Sequence, residues 1–193
     1  MSGEQVAQPE RRLRADAARN RARVLEVAYD TFAAEGLSVP IDEIARRAGV
    51  GAGTVYRHFP TKEALFQAVI EDRMQRLVDD GRALLSSEGS GEALFAFLRS
   101  MVLHWGATDR GLADALAGLG IDIATAAPDA EDGFLAMLDE LLRAAQRAGT
   151  ARPDIGVREV KAIMVGCQAM EAYNSALAER VTDVVVDGLR AGR

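Results

Sequence analysis

The sequence predicts an all-α protein: an N-terminal three-helix helix-turn-helix head, joined by one long helix to a larger helical body. Three observations predict this. Alanine and leucine dominate an apolar content of 49%, with only 5% aromatics, and that balance favours helix over strand. Apolar residues recur at three- and four-residue spacing along most of the chain, the period of a helix with one buried face. The five prolines are widely separated, which leaves room for long uninterrupted helices. At 193 residues the chain can bury a core in one or two compact domains. We divide it into a disordered arm over residues 1–12, a helix-turn-helix domain over 13–60 and a helical body over 61–193. No internal repeat or low-complexity run is visible.

The first twelve residues are polar and unpatterned, which reads as disorder. A helix is expected over about 15–35, with Leu25, Ala28 and Phe32 on one face and Gly36 as its C-cap. A second begins near Pro40, a residue suited to a first helical position. Ile44, Ala45 and Ala48 line its inner face, and Gly49 falls where the chain must reverse in a left-handed conformation. A third, about 52–58, is pinned by Val55, with Phe59 four residues on; Val50 is the other apolar pin. That spacing is the logic of the helix-turn-helix, in which the first helix braces and the second lies in the DNA major groove. Pro60 ends the third helix, and Thr61 reads as the N-cap of the long helix expected over 61–85.

The third helix turns Gly53, Thr54, Arg57 and His58 outward, with Tyr56 at the edge of that arc. A hydroxyl, a guanidinium, an imidazole and a phenol on one short face suit phosphates and base edges. Arg57 reads as the base reader, because a guanidinium can take both guanine acceptors. Tyr56, His58 and Lys62 read as backbone contacts. Ala52 and Gly53 permit close approach with little readout. Earlier arginines, at 11, 12, 14, 19, 21 and 23, read either as backbone or minor-groove contacts or as a solvated face.

The stretch DEIARRAGVGAGTVYRHFPTKEALF, preceded by the apolar helix ending in Phe32 and by Gly36, resembles the TetR family of bacterial transcriptional regulators. The specific part is Ala48-Gly49-Val50 followed by Gly53-Thr54-Val55-Tyr56, His58-Phe59 and Lys62. The resemblance spans roughly residues 19–70, about a quarter of the chain. Pro40 departs from the family pattern, which favours Ser or Thr there, so a phosphate contact from that helix start is in doubt. The resemblance implies a homodimer, seamed through helices near 157–173 and 178–190 as a four-helix bundle, on a palindromic double-stranded operator. It also implies a small-molecule ligand in a cavity among the middle helices of each subunit, and a repressor that this ligand releases.

The net charge of −6 suits a DNA binder poorly until its distribution is considered. Residues 11–60 carry nine arginines against six acidic side chains, whereas residues 61–193 carry 14 basic and 21 acidic ones. A locally basic head on an acidic body can bind phosphates while resisting non-specific association.

Further helices are expected over about 92–105, 129–148, 157–173 and 178–190, with a loop over 86–92. The segment 109–126 is weakly helical, with three glycines. Val181, Val184, Val185 and Leu189 keep helical spacing despite their β-branched neighbours. His104 and Trp105 read either as a core margin or as a ligand-cavity wall, with Met101, Asp114, Phe134, Met137 and Met164 as further candidates.

No enzyme is expected. The two histidines, His58 and His104, are far apart, and Cys167 sits in an apolar helical stripe as a core thiol. Glycine-rich phosphate loops, nucleophile elbows and HExxH are missing, and no metal site or cofactor is expected beyond an unidentified effector. Two rivals stay open: a DNA-binding regulator without a ligand, and an enzyme with a vestigial head. One cysteine, no secretory signal and no membrane-spanning apolar run point to the cytoplasm.

Overall fold

The structure, a computed structural model, describes residues 7–103 and 127–192. Its described residues form helices and no strand; one isolated antiparallel β-bridge joins Ala151 and Arg190. The chain divides into two compact units, Met1–Val69 and Ile70–Arg193.

In the first unit, α1 (Ala7–Glu35) packs on α2 (Ile41–Ala48) and α3 (Ala52–His58), and α2 packs on α3. Helix α1 begins at Ala7, earlier than the expected start near Ala15 and inside the stretch read as a disordered arm. Alanine, arginine and leucine are strong helix formers, and that propensity carries the helix beyond its apolar stripe. The core is Leu25, Ala28, Phe32, Ile44, Val55, Phe59 and Leu65, all buried. Phe32 meets Phe66 edge-on at 5.7 Å between centroids.

Local chemistry sets the helix ends. The Gly49 backbone is left-handed at φ 64°, and its N–H and that of Val50 return to the carbonyls of Arg46 and Ala45 at 3.2 and 3.0 Å. These bonds satisfy carbonyls that a helix end leaves open. Pro40 is the N-cap of α2, one position earlier than expected, and gives no side-chain cap. Thr61 caps α4 (Lys62–Ser87) by accepting from the Ala64 N–H at 3.1 Å through Oγ1. At 1.5 Å per residue, α4 runs about 39 Å. Its opening turns belong with the first unit, through buried Leu65 and Phe66.

The second unit is organised on α5 (Ala93–Leu103), which packs against α6 (Pro128–Arg147), α7 (Val157–Tyr173) and α8 (Ala178–Leu189). Its buried residues are Leu94, Phe95, Phe97, Leu98, Met101 and Val102. The Phe95 ring lies under the Arg190 guanidinium at 4.1 Å. Arg190 also pairs with Glu92 at 2.8 Å. The valine-rich segment at 181–186 is helical, as its spacing predicts. On α4, a Cβ at Gly81 would fall on the Met137 sulfur and 3.1 Å from its Cγ, so the missing side chain is what admits α6.

Candidate nucleic-acid interface

Helix α3 is short and pinned at two points. Val55 is buried, and Phe59 closes the helix by donating its N–H to the Val55 carbonyl at 2.8 Å. With those two turned inward, Gly53, Tyr56, Arg57 and His58 are exposed, and Ala52 and Thr54 are half-buried. Tyr56 leaves 44% of its surface open. Lys62 is half-buried in the first turn of α4, where helix geometry leaves backbone N–H groups free for an anion.

The other cations of this unit are sorted by partner. Glu43 accepts from Arg46 at 2.7 and 2.8 Å and from Arg47 at 2.7 Å. Arg47 also pairs with Glu35, which ties α2 to the end of α1. Hydrogen bonds from Arg46 and then Arg47 hold the Glu43 carboxyl down at about 2. Arg47 is raised by the hydrogen bonds it donates to Glu35 and Glu43, and Glu35 is lowered by accepting from Arg47. Arg19 pairs with Asp16. Arg57 and Lys62 make no ion pair or hydrogen bond among the described residues. The arginines of α2 are therefore braces, while the cations on α3 and at the start of α4 stay available.

The sequence shows the exposed set but not the sorting. The i,i+3 and i,i+4 spacing of Glu43 with Arg46 and Arg47 could have signalled it; the Arg47–Glu35 pair needs the fold. Glu43 is the node of this cluster.

In the second unit Met101, Phe134, Met137 and Met164 are buried. His104, Trp105 and Asp114 lie outside the described residues. The four described side chains have different neighbours. Phe134 meets Phe97 at 6.2 Å between centroids, Met137 lies against Gly81, and Met164 lines a cavity. That cavity is walled by Leu98, Val102, Met164, Cys167, Thr182 and Val186 among others, and its volume of about 10 Å3 is on the scale of one water. Burial raises the Cys167 thiol above its ordinary pKa, which suits a core thiol. Thr182 is buried with its Oγ1 unpartnered. Among the described residues no cluster could hold a metal ion, and no helix is long and apolar enough to cross a membrane.

A braced pair of short helices, the outer one presenting a phenol, a guanidinium and an imidazole beside an unpaired lysine, defines a helix-turn-helix DNA-binding regulator. Residues 24–69 match the family model described as bacterial regulatory proteins, tetR family, and residues 89–191 match that of the transcriptional regulator SbtR-like C-terminal domain. The chain belongs to the TetR family of bacterial transcriptional regulators, whose members bind DNA and typically dimerise. It is similar to the HTH-type transcriptional regulator SrpR of Pseudomonas putida, at 33% identity over 144 residues, covering 72% of this chain and 67% of SrpR. Among solved structures it is similar to a TetR transcription regulatory protein from Mycobacterium vanbaalenii, at 64% identity and a TM-score of 0.78, covering 93% of this chain and 99% of that one. It is also similar to the regulator SCO0520 of Streptomyces coelicolor, at 36% identity and a TM-score of 0.74, covering 90% and 99%.

Proposed function

We propose that this regulator is a homodimeric repressor, acting in the cytoplasm, that a small molecule releases from a palindromic operator. The observation that carries the DNA half of this reading is the sorting of charge: the brace arginines are neutralised and Arg57 and Lys62 are not. Thr54, Tyr56, Arg57, His58 and Lys62 are the contact set, with Ala52 and Gly53 allowing close approach. Arg57 reads bases; Tyr56, His58 and Lys62 position the phosphate backbone.

The dimer half is supported by exposed apolar side chains on α7, on α8 and in the turn between them. Val165, Met170, Tyr173, Leu177 and Val184 are each at least 41% open, and a self-complementary patch of that kind suits a two-fold seam. Two such subunits would set their recognition helices about one DNA turn, roughly 34–36 Å, apart.

The effector half is supported by kinship. Two proteins that share the fold at 19% identity hold small molecules in their solved structures, choline in one and stearoyl-CoA in the other. Met101, His104, Trp105, Asp114, Phe134, Met137 and Met164 remain the candidate lining. A ligand acts here only through its different affinity for the DNA-fitted and DNA-unfitted spacings of the two heads.

The test is retention on DNA from upstream of the coding region, at two salt concentrations, with random DNA as competitor. Specific, salt-sensitive retention is expected. Arg57→Ala should then relax preference at one or two operator positions by about 1–3 kcal/mol. Equal loss on operator and random DNA would remove Arg57 as base reader.

A further inference from the structure

We propose that Arg21, carried on α1 and laid against the Phe59 ring, is an additional DNA-phosphate ligand at the end of the recognition helix. This rests on the DNA-contact reading above and adds to it a cation delivered from a different helix. The Arg21 guanidinium carbon is 5.6 Å from the centroid of Phe59, the residue that closes α3. The His58 ring is 6.1 Å from that same ring. A residue 38 positions upstream is thus held beside the last residues of α3, just ahead of Thr61 and Lys62.

The nature of that contact matters. Arg19, Arg46 and Arg47 are each satisfied by carboxylates, and a phosphate would have to displace those pairs. Arg21 is exposed and has no carboxylate or hydrogen-bond partner among the described residues. A ring face orients a guanidinium plane without consuming its five N–H donors. The guanidinium is kept beside the ring while its N–H donors stay unpaired among the described residues, as phosphate capture requires. Phe59 itself is buried and fixed by the core, so the platform does not move.

A structural alternative is that Arg21 only shields Phe59 or lies near the carbonyl end of α3. Salt dependence separates the two, because only a phosphate ligand releases counterions from DNA. The full-length protein and its Arg21→Met variant, which keeps an apolar stem over the ring, would be titrated with sheared mixed-sequence duplex DNA from 50 to 200 mM salt. Arg82→Met, on the exposed face of α4 in the second unit, is the charge-matched control. The Arg21 variant should flatten the slope of log K against log salt by about one unit, losing roughly three- to fourfold less affinity across that range than the unaltered chain. Arg21→Lys should restore most of the slope. An unchanged slope for Arg21→Met, or an equal flattening by Arg82→Met, overturns the proposal. If the unaltered chain itself shows no salt-dependent binding to duplex DNA, the DNA-contact reading fails, and this proposal with it.

Discussion

The head and the body use charge in opposite ways. In the head the pairs that involve α2 are mostly local, with Glu43 gathering Arg46 and Arg47 from its own helix. The result is a helix whose arginines are silenced next to one whose arginine is not. In the body several pairs span long stretches of chain: Arg99 with Asp183 at 3.0 Å, Arg190 with Glu92 at 2.8 Å, and Lys161 with the buried Glu131. These pairs hold helices that are remote in sequence. The lesson is that an acidic protein can present a phosphate-binding face if its ion pairs are spent away from that face.

The comparison can be broken first at the cores. Phe32 is fully buried in the head. Phe32→Ala should cost about 3–5 kcal/mol, and hydrogen exchange should show lost protection in α1–α3 while α5–α7 keep theirs. Equal loss in both units would mean that the head and body open together. In the body, Gly81→Ala should cost about 1–3 kcal/mol, because Met137 must give way. A double-mutant cycle with Met137→Ala should show favourable coupling in denaturant unfolding.

Smaller effects sharpen the contrast. Thr182→Val should raise body stability by about 1 kcal/mol, since it removes a buried hydroxyl that has no partner; an unshifted denaturation midpoint would contradict this. The weakest effect is acid sensitivity of the head brace. The Glu43 carboxyl is held at about 2, below its ordinary 4.5, so its contribution is present above pH 4.5 and fades as pH falls toward 2. The group is exposed, so salt should blunt the effect. Glu43→Gln should make the head's stability less pH-dependent in that window.

The head was largely legible in the sequence because its constraints are local. Gly49 has the left-handed backbone its position required, Thr61 caps α4, and Val55 and Phe59 turn inward. Each of these is decided within a few residues. Pro40 and Ala7 show the limits of that reading. A proline that fits a first helical turn also fits the cap before it, and a helix can continue past its apolar stripe on propensity alone. The body was legible as helices but not as an arrangement. The place of Phe95 under Arg190, the fit of Met137 to Gly81 and the orphaned hydroxyl of Thr182 all join residues 56 or more positions apart, or depend on such packing. No periodicity encodes them. The proximity of Arg21 to Phe59 was hidden for the same reason, since the ring lies 38 residues downstream.

The fit of Met137 against Gly81 also has a chemical consequence. A thioether that becomes a sulfoxide gains an oxygen and a dipole. The Met137 side chain is 1% exposed, and its sulfur already fills the space that a side chain at position 81 would take. Oxidant can reach that sulfur, and the added oxygen can be housed, only when the two helices part. The slow appearance of sulfoxide at this one methionine would therefore act as a clock for how often the body of the regulator breathes.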